Sequence, residues 1–271
     1  MHPSTKKYCY CYFGIPALMF SAFSSTQSFA ETPQFQLGGK ITLSHLTNGY
    51  EKTSYKSERS NHWTGTLSAR VSEDHLFYLS GGGYKQLEDK TGTYLTDTVL
   101  GYTQPELFKI GDNTASSLNL QFTVPTSETS QKQELITALR LTVPLSYRDG
   151  NWSASIAPRL RKNLHQYTTA GGKALTSWIS SLHLSSSYSF YDFTLSGSLL
   201  GGTSWSYEGT RRNWDYGGSA ALSYQAMKNL AASLSVSTSG VYYDAERGTL
   251  GNIDLFDERK ATYTMSLIFS F

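Results

Sequence analysis

A histidine and a hydroxyl stand two positions apart in the segment His45-Leu46-Thr47-Asn48-Gly49. A general base beside a hydroxyl is the pair that nucleophilic catalysis of acyl transfer requires. In an extended strand side chains alternate between faces, so His45 and Thr47 would lie on the same face. A hydrolase hypothesis therefore assigns His45 as the base, Thr47 as the nucleophile and Asn48 as a supporting group. The alternative is structural, because Asn-Gly is also an ordinary turn dipeptide.

A second group of residues is cationic and falls on the polar faces of predicted strands. Its members are Lys40, Arg70, Arg140, Arg159 and Arg161, and the acids predicted on the same faces are Asp97 and Asp215. Asp149-Gly150 predicts a two-residue hairpin turn of type I′, which would place Arg140 directly opposite Arg159. Like charges that face each other across a strand pair are destabilising, so these groups need water, a carboxylate or an anionic ligand. The interpretations left open are an anion-preferring lining and a solvated or internally paired cluster that only fills space.

Alternation of apolar and polar residues runs through most of the chain and predicts strands rather than helices. Between 117 and 124, for example, the apolar residues are Leu118, Leu120, Phe122 and Val124, and the polar residues are Ser117, Asn119, Gln121 and Thr123. Segments of this kind cover roughly 35–45, 63–71, 76–84, 93–103, 117–124, 135–147, 152–161, 177–188, 193–201 and 261–271, and two more begin at Trp214 and Leu230. The predicted number of strands is therefore about twelve, with ten or fourteen as alternatives.

The connections between these segments alternate in length. Links after odd-numbered strands are long and polar, such as 47–62 and 162–176, whereas links after even-numbered strands are mostly tight, such as Glu73-Asp74. The stretch 104–114 is the exception, because it is long for a tight turn. Short turns at one end and long loops at the other are typical of transmembrane barrels, which must close because lipid cannot satisfy an open sheet edge. The predicted fold class is an all-β, transmembrane, antiparallel up-and-down β-barrel.

Composition and the first thirty residues set the compartment and exclude several classes of protein. Lys6 and Lys7 precede an apolar stretch and the small-residue site Ser28-Phe29-Ala30, so residues 1–30 are predicted to be a cleaved signal peptide and 31–271 the barrel. The sequence has 23 Lys+Arg and 21 Asp+Glu, so removing the two lysines leaves 21 of each, and no nucleic-acid partner is indicated. Both cysteines lie in the predicted signal peptide, which excludes disulfides in the mature chain. No cofactor and no metal are expected, because the histidines lack metal-ligand spacing.

The segment 261–271, ATYTMSLIFSF, alternates apolar and polar residues and ends on Phe271. It resembles the last strand of Gram-negative outer-membrane β-barrel proteins. That resemblance implies export to the outer membrane, recognition by the barrel assembly machinery, and contact with membrane lipid and lipopolysaccharide. The segment from His45 to Gly49 also resembles the His-x-Ser-Asn-Gly motif of outer-membrane phospholipase A and the similar motif of lipid A deacylases, with Thr47 in place of Ser. In those families the histidine and the serine lie on the lipid-facing wall.

The expected function follows from the inner wall. A barrel of about twelve strands is narrower than a 16-stranded porin. We expect a monomer that acts as a narrow passive pore or small-solute channel with anion preference. The alternatives are a lipid hydrolase at the outer rim and a plugged barrel that only displays its loops. Arg211 and Arg212, beside Trp205, Tyr207 and Trp214, either contact lipopolysaccharide phosphates or belong to a solvated loop.

Overall fold

Strands dominate the structure, a computed structural model that describes residues 35–88, 91–242 and 256–271. The predicted signal peptide, residues 1–30, lies outside these ranges. The elements in chain order are β1 (Gln36–Asn48), β2 (Arg59–Ser72), β3 (His75–Gln86), β4 (Gly92–Leu95), β5 (Thr98–Ile110), β6 (Thr114–Val124), α1 (Glu128–Lys132), β7 (Leu135–Thr142), β8 (Leu145–Asp149), β9 (Trp152–His165), β10 (Thr169–Ala170), β11 (Lys173–Ala174), β12 (Thr176–Phe190), β13 (Phe193–Ser206), β14 (Trp214–Met227), β15 (Leu230–Tyr242) and β16 (Thr262–Ser270). Within the described ranges no helix is long and apolar enough to cross a membrane.

The long strands form one antiparallel sheet that closes on itself. β16 pairs with β1, from Lys40 opposite Ser270 to Asn48 opposite Thr262. β4 and β5 both pair with β3, and β7 and β8 both pair with β6 and β9, so each of these couples fills one position in the ring. The sheet is therefore a closed barrel with twelve strand positions, as the sequence predicts.

The outer face of the barrel is apolar and the inner face is polar. Leu37, Leu199 and Leu234 are 75%, 58% and 61% exposed, although their strands have neighbours on both sides. The inward residues are mostly serine and threonine, and their hydroxyls bond across strands, as between Ser44 and Ser266 at 2.8 Å. Large apolar groups on the outside and small polar groups on the inside reverse the usual arrangement of a soluble domain.

The two ends of the barrel differ, and they are termed here the turn end and the loop end. At the turn end successive strands connect within a few residues, as at 73–74, 111–113 and 191–192. At the loop end the connections are longer, as at 49–58 and 166–175, and the second of these contains the small hairpin formed by β10 and β11. The long connections therefore share one end, as the sequence predicts.

The prediction of a long link over 104–114 is wrong. β5 continues to Ile110, and its ladder with β6 is interrupted only by a bulge that follows Gln104. Pro105 lies in this bulge, where a residue without an N–H is tolerated. The connection is then a tight turn in which Gly111 has φ +64°. The alternation of short and long connections therefore has no exception at this hairpin.

Phe271 completes the closure of the barrel. Its carbonyl oxygen accepts from the Gly39 N–H at 2.8 Å, and its N–H donates to the Gly39 carbonyl at 3.0 Å. The Phe271 ring lies on Gly39, where any side-chain carbon would overlap it. A glycine in a strand often marks such a close approach, and here it lets the ring lie against β1.

Aromatic side chains collect around the turn end. Ring pairs whose centroids lie 4.9 to 6.1 Å apart are Phe77 with Tyr102, Tyr147 with Trp152, Phe193 with Tyr224, and Phe269 with Phe271. At the loop end Trp178 and Trp214 are exposed on the outer face. Amphipathic rings of this kind are favoured where an apolar medium meets water.

Candidate functional site: the arginine cluster of the lumen

The turn between β8 and β9 decides which residues face the lumen arginines. Asp149 pairs with Trp152, so the turn residues are Gly150 and Asn151 rather than Asp149 and Gly150. Of these two, Gly150 alone has a positive φ, +53°. A type II′ turn needs one positive φ, at its first residue, whereas the predicted type I′ turn needs two. The turn is thus one residue later than predicted, and the ladder beyond it is displaced.

The displaced ladder changes the pairing of the arginines. Arg140 on β7 faces Arg161 on β9, and Arg159 faces Thr142. The predicted pairing of Arg140 with Arg159 is therefore wrong. Two arginines still oppose each other, because moving the turn by one residue keeps the same side chains on the inner face. Arg159 is the next inward residue of β9, so these three residues form one group near mid-strand, termed here the arginine cluster.

The arginine cluster has neutral hydrogen-bond partners. Arg140 Nη1 donates to Gln121 Oε1 at 3.2 Å, and Arg161 Nε donates to Asn163 Oδ1 at 2.8 Å. None of the ion pairs among residues 35–88, 91–242 and 256–271 includes an arginine of the cluster. A guanidinium group has five N–H donors, so Arg140 and Arg161 keep donors for water or a ligand. Amides therefore position these positive charges without neutralising them.

A tyrosine on β3, three strand positions from Arg140 on β7, supports Arg140 through Gln121. Gln121 Nε2 donates to Tyr78 Oη at 2.7 Å, which leaves the carbonyl oxygen of Gln121 to accept from Arg140. Asn119 Nδ2 donates to the same hydroxyl at 3.1 Å. The Tyr78 ring lies over Gly101 on β5, where a methyl group would overlap it. The alternating pattern puts Tyr78, Asn119 and Gln121 on the inner face, but it does not single them out from many other polar residues.

The predicted acid Asp97 is engaged with the loop-end connection that holds α1. Its Oδ1 accepts from Ser127 N at 2.9 Å, and its Oδ2 accepts from Ser130 Oγ at 2.6 Å. Ser127 is the N-cap of α1, and its hydroxyl accepts from Ser130 N at 3.2 Å. The carboxylate therefore anchors the start of α1. Asp215 lies at the start of β14, at the loop end, and pairs with Val241 in the sheet.

The wall formed by β13, β14, β15, β16 and β1 carries short side chains, and its inward residues are termed the hydroxyl wall. Ser198 and Ser219 bond at 2.7 Å, and Ser223 donates to Ser233 at 3.2 Å. Such pairs satisfy the hydroxyls within the wall. The contrast with the opposite side is one of length as well as charge, because serine ends close to the backbone and arginine does not.

Two of the five predicted lumen cations lie apart from the cluster. Lys40 stands in the hydroxyl wall, between Ser270 and Thr66 in the two ladders of β1. Arg70 is exposed at the turn end of β2, opposite Gln36. The structure therefore brings together three of the predicted cations and leaves the other two apart from them.

An aromatic stack that the sequence analysis missed lies on the inner face near the loop end. His62 and Tyr84 stack at 5.1 Å between ring centroids, and Tyr84 and Tyr94 stack at 5.2 Å. These residues share their strand faces with polar residues such as Thr64, so they line the lumen. The sequence could have revealed these residues, because they fall on the polar faces of their strands, where a large ring is unusual in this barrel.

The predicted catalytic residues lie on the outer face of β1. His45 is exposed, and its Nδ1 bonds to Asn61 Oδ1 of β2 at 2.8 Å. Because an amide oxygen can only accept, Nδ1 carries the proton and Nε2 is the basic nitrogen. Thr47 lies on the same face, and its hydroxyl donates to the Asn48 carbonyl at 3.2 Å. The base is thus oriented by an amide, whereas the hydroxyl is turned toward the backbone.

Asn48 is engaged in the connection between β1 and β2. Its Nδ2 donates to Lys56 O at 2.7 Å, and its Oδ1 accepts from Glu58 N at 3.2 Å. These bonds tie the ends of the loop together, which is the turn interpretation of the Asn-Gly dipeptide. In this arrangement the side chain points to the loop backbone.

Comparison with known proteins finds similarity in structure but not in sequence. No family model matches the chain, and no curated protein matches it. An outer membrane channel from Pseudomonas putida F1 aligns with a TM-score of 0.60 at 11% identity, covering 92% of this chain and 100% of the other. The NanC porin aligns with a TM-score of 0.54 at 11% identity over 85% and 98%, and the KdgM porin with 0.50 at 14% over 86% and 99%. Identities this low establish a shared barrel fold.

Proposed function

We propose that the protein is an outer-membrane channel through which small anionic solutes pass along the arginine cluster. The observation that carries this proposal is a set of three inward guanidinium groups, of which Arg140 and Arg161 donate hydrogen bonds to neutral amides. The structural neighbours are outer membrane channels and porins, which supports the coarser statement of a small-solute pore. The apolar exterior and the aromatic rings at both ends support insertion in a bilayer.

Anion preference has a direct electrostatic cause. A carboxylate about 4 Å from one guanidinium group gains about 1 kcal/mol in bulk water but about 4 kcal/mol at the effective dielectric near a protein surface. Arginine also offers a planar fork of donors that matches a carboxylate or a phosphate. A cation at the same position meets repulsion from three charges. The cluster therefore favours anions at the middle of the strands.

Passage also requires that the solute leave the cluster. Conduction needs binding that is favourable enough to enter but weak and distributed enough to release. Lys40 and Arg70 supply cationic positions that are separate from the cluster. A barrel of twelve strands is wider than an eight-stranded barrel filled by side chains and narrower than a 16-stranded porin. Small solutes therefore fit this architecture better than large ones.

Planar-bilayer recording tests the proposal. The purified protein should give discrete current steps, and the reversal potential in a salt gradient should show anion selectivity. The variant Arg140→Gln with Arg161→Gln should lose most of that selectivity. The matched control is Lys173→Gln with Lys228→Gln, which removes the same charge from exposed residues outside the barrel strands and should leave the selectivity unchanged. Absence of current steps, or selectivity for cations, would contradict the proposal.

The solute class can be tested by current block. One neighbouring structure is the KdgM porin in complex with disordered oligogalacturonate, a sugar acid chain. For this protein we propose acidic solutes on the basis of its own arginines. Galacturonate should reduce the open-channel current, whereas the neutral sugar galactose should not. Equal block by both sugars would indicate selection by size alone.

A second candidate function, a lipid hydrolase of the barrel surface, is favoured by the bond between His45 and Asn61. This bond leaves Nε2 of an exposed histidine as a base on the lipid-facing side of the barrel. Catalysis would require the Thr47 hydroxyl to turn from the Asn48 carbonyl toward that nitrogen. Release of fatty acid from phospholipid or lipid A, abolished in His45→Ala and in Thr47→Ala, is the expected result. Activity that survives both substitutions would remove this candidate.

A further inference from the structure

Outside the lumen, a row of cations and indole rings crosses the outer face of the barrel at the loop end. Lys162 of β9 pairs with Trp178 of β12, and Trp178 pairs with Trp205 of β13. Trp205 in turn forms a bridge with Arg211, in the connection between β13 and β14. The row therefore extends over three adjacent strands and the connection beyond them.

The cations of the row are held in place by aromatic and hydroxyl groups. Lys162 Nζ lies 4.7 Å from the centroid of the Trp178 ring and donates to Ser177 Oγ at 2.6 Å. The Arg211 guanidinium carbon lies 4.9 Å from the centroid of the Trp214 ring. Contact between a cation and an indole face fixes the charge without neutralising it. Both side chains are thus oriented by the barrel rather than free in solvent.

Of the nearby acids, Asp215 interacts electrostatically with Arg212, the neighbour of Arg211. Among residues 35–88, 91–242 and 256–271, no ion pair includes Lys162, Arg211 or the neighbouring Arg212. Arg212 Nη2 donates to the carbonyl of Ala174, and Glu208 in the same connection is exposed. Lys162 and Arg211 each use one donor in their described bonds, so further N–H groups remain for a ligand.

The outer face becomes apolar on the turn-end side of the row. Leu160 lies next to the row, beside Ser180 and Thr203, and Leu182 and Leu199 follow further along β12 and β13. These three leucines are 43%, 41% and 58% exposed. A soluble anion would gain nothing from these side chains. A lipid with a phosphorylated headgroup matches both the cations of the row and the leucines beside it. Its phosphate would contact the cations, and its acyl chains would lie along the leucines.

We infer that this surface binds a phosphorylated glycolipid of the outer leaflet, with Lys162 and Arg211 each at a phosphate and Trp178 and Trp214 beside the sugar. The inference shares with the proposed function only the location in the outer membrane. Because the site lies on the outer face of the barrel, it can be tested without recording any current. Its failure and the failure of the channel proposal are therefore distinguishable.

Native mass spectrometry of the detergent-solubilised protein, titrated with bisphosphorylated lipid A, tests the inference. The variant Lys162→Gln with Arg211→Gln should bind lipid A roughly tenfold more weakly, because two charge-assisted contacts are removed. The control Lys228→Gln with Arg148→Gln removes the same charges from exposed residues at the turn end and should bind as the unmodified protein does. The exchange Lys162→Arg with Arg211→Lys keeps both charges and should retain most of the binding.

Two further arms decide the source of the phosphate. Lipid A without phosphates should bind the unmodified protein as weakly as bisphosphorylated lipid A binds the glutamine variant. Inorganic phosphate should not displace lipid A at equal concentration, since it lacks acyl chains. Equal binding of both lipids, displacement by inorganic phosphate, or unchanged binding in the glutamine variant would each overturn the inference. Retained heat-modifiable migration on gels would show that the variants are folded.

Discussion

The arginine cluster and the hydroxyl wall line the same lumen but are constructed differently. In the order of strands around the ring, β16 of the hydroxyl wall stands half-way round from β7, which carries Arg140. On the hydroxyl wall, serines bond to each other across strands, as between Ser198 and Ser219. In the cluster, long side chains bond to neutral amides and keep unused donors. A polar inner face is thus common to both regions, and only the cluster carries concentrated charge.

This difference teaches which residues can determine selectivity. A hydroxyl pair satisfies itself, and each such bond contributes only about 1 kcal/mol to stability. An arginine held by an amide keeps its full charge, and that charge acts on a solute over several ångströms. We therefore expect the cluster to dominate the interaction with ions, whereas most side chains of the hydroxyl wall are short and neutral.

The largest expected effect comes from reversing the charge of the cluster. Arg140→Glu with Arg161→Glu replaces two positive charges by two negative ones at mid-lumen, so the reversal potential in a salt gradient should change sign from anion to cation preference. Planar-bilayer recording measures it. The control Lys173→Glu with Lys228→Glu makes the same change of net charge outside the barrel strands and should keep the original sign. If both variants change sign, overall charge rather than the cluster sets the selectivity.

A second test concerns the support of the cluster. In Gly101→Ala the new methyl group overlaps the Tyr78 ring, so the ring must move and its bond with Gln121 is lost. We expect a loss of about 1–3 kcal/mol in the free energy of unfolding, measured by denaturant titration in lipid vesicles. Gly201→Ala is the matched control, because no atom lies within 4 Å of the added carbon there. Equal stability of the two variants would show that Tyr78 is not held by this contact.

A third test asks whether Asp97 mainly anchors α1 or also determines ion selectivity. Asp97→Asn replaces a charged acceptor of two hydrogen bonds by a neutral one, which should weaken the anchoring of α1 by about 1–2 kcal/mol. Amide hydrogen exchange should become faster at Ser127–Lys132 and stay unchanged in β9. Anion preference should be retained or rise, since an acid that interacts electrostatically with Arg161 is removed. Unchanged exchange at α1 would show that other contacts hold the helix.

The smallest effect is expected on the hydroxyl wall. Ser198→Ala with Ser219→Ala removes both partners of one bond, so no buried hydroxyl is left unsatisfied, and stability should change by less than about 1 kcal/mol. Ion selectivity should equal that of the unmodified protein. A change in selectivity as large as that of Arg140→Gln with Arg161→Gln would mean that the two walls act as one unit.

Much of the fold could be predicted because alternation is a local property. Leu118, Leu120 and Phe122 face outward and Asn119 and Gln121 face inward whatever the neighbouring strands are, since successive side chains of a strand point to opposite faces. The same pattern identified Arg140, Arg159 and Arg161 as inward cations. The alternating loop lengths are also visible in the spacing of the strands, and the pairing of the last segment with the first follows from the need to close the sheet.

What the sequence by itself determined is therefore which side chains face the lumen and that the sheet closes as a barrel of about twelve strands. Only the tertiary structure decided which of them meet. Whether Arg140 faces Arg159 or Arg161 depends on a single positive φ at Gly150, and the bulge after Gln104 lengthens β5 where a loop was predicted. The hydrogen bond between Gln121 and Tyr78 joins residues far apart in the chain, and so do the backbone bonds between Phe271 and Gly39. Such contacts depend on the register between strands, which sums the geometry of every turn and bulge and is not a property of any one segment.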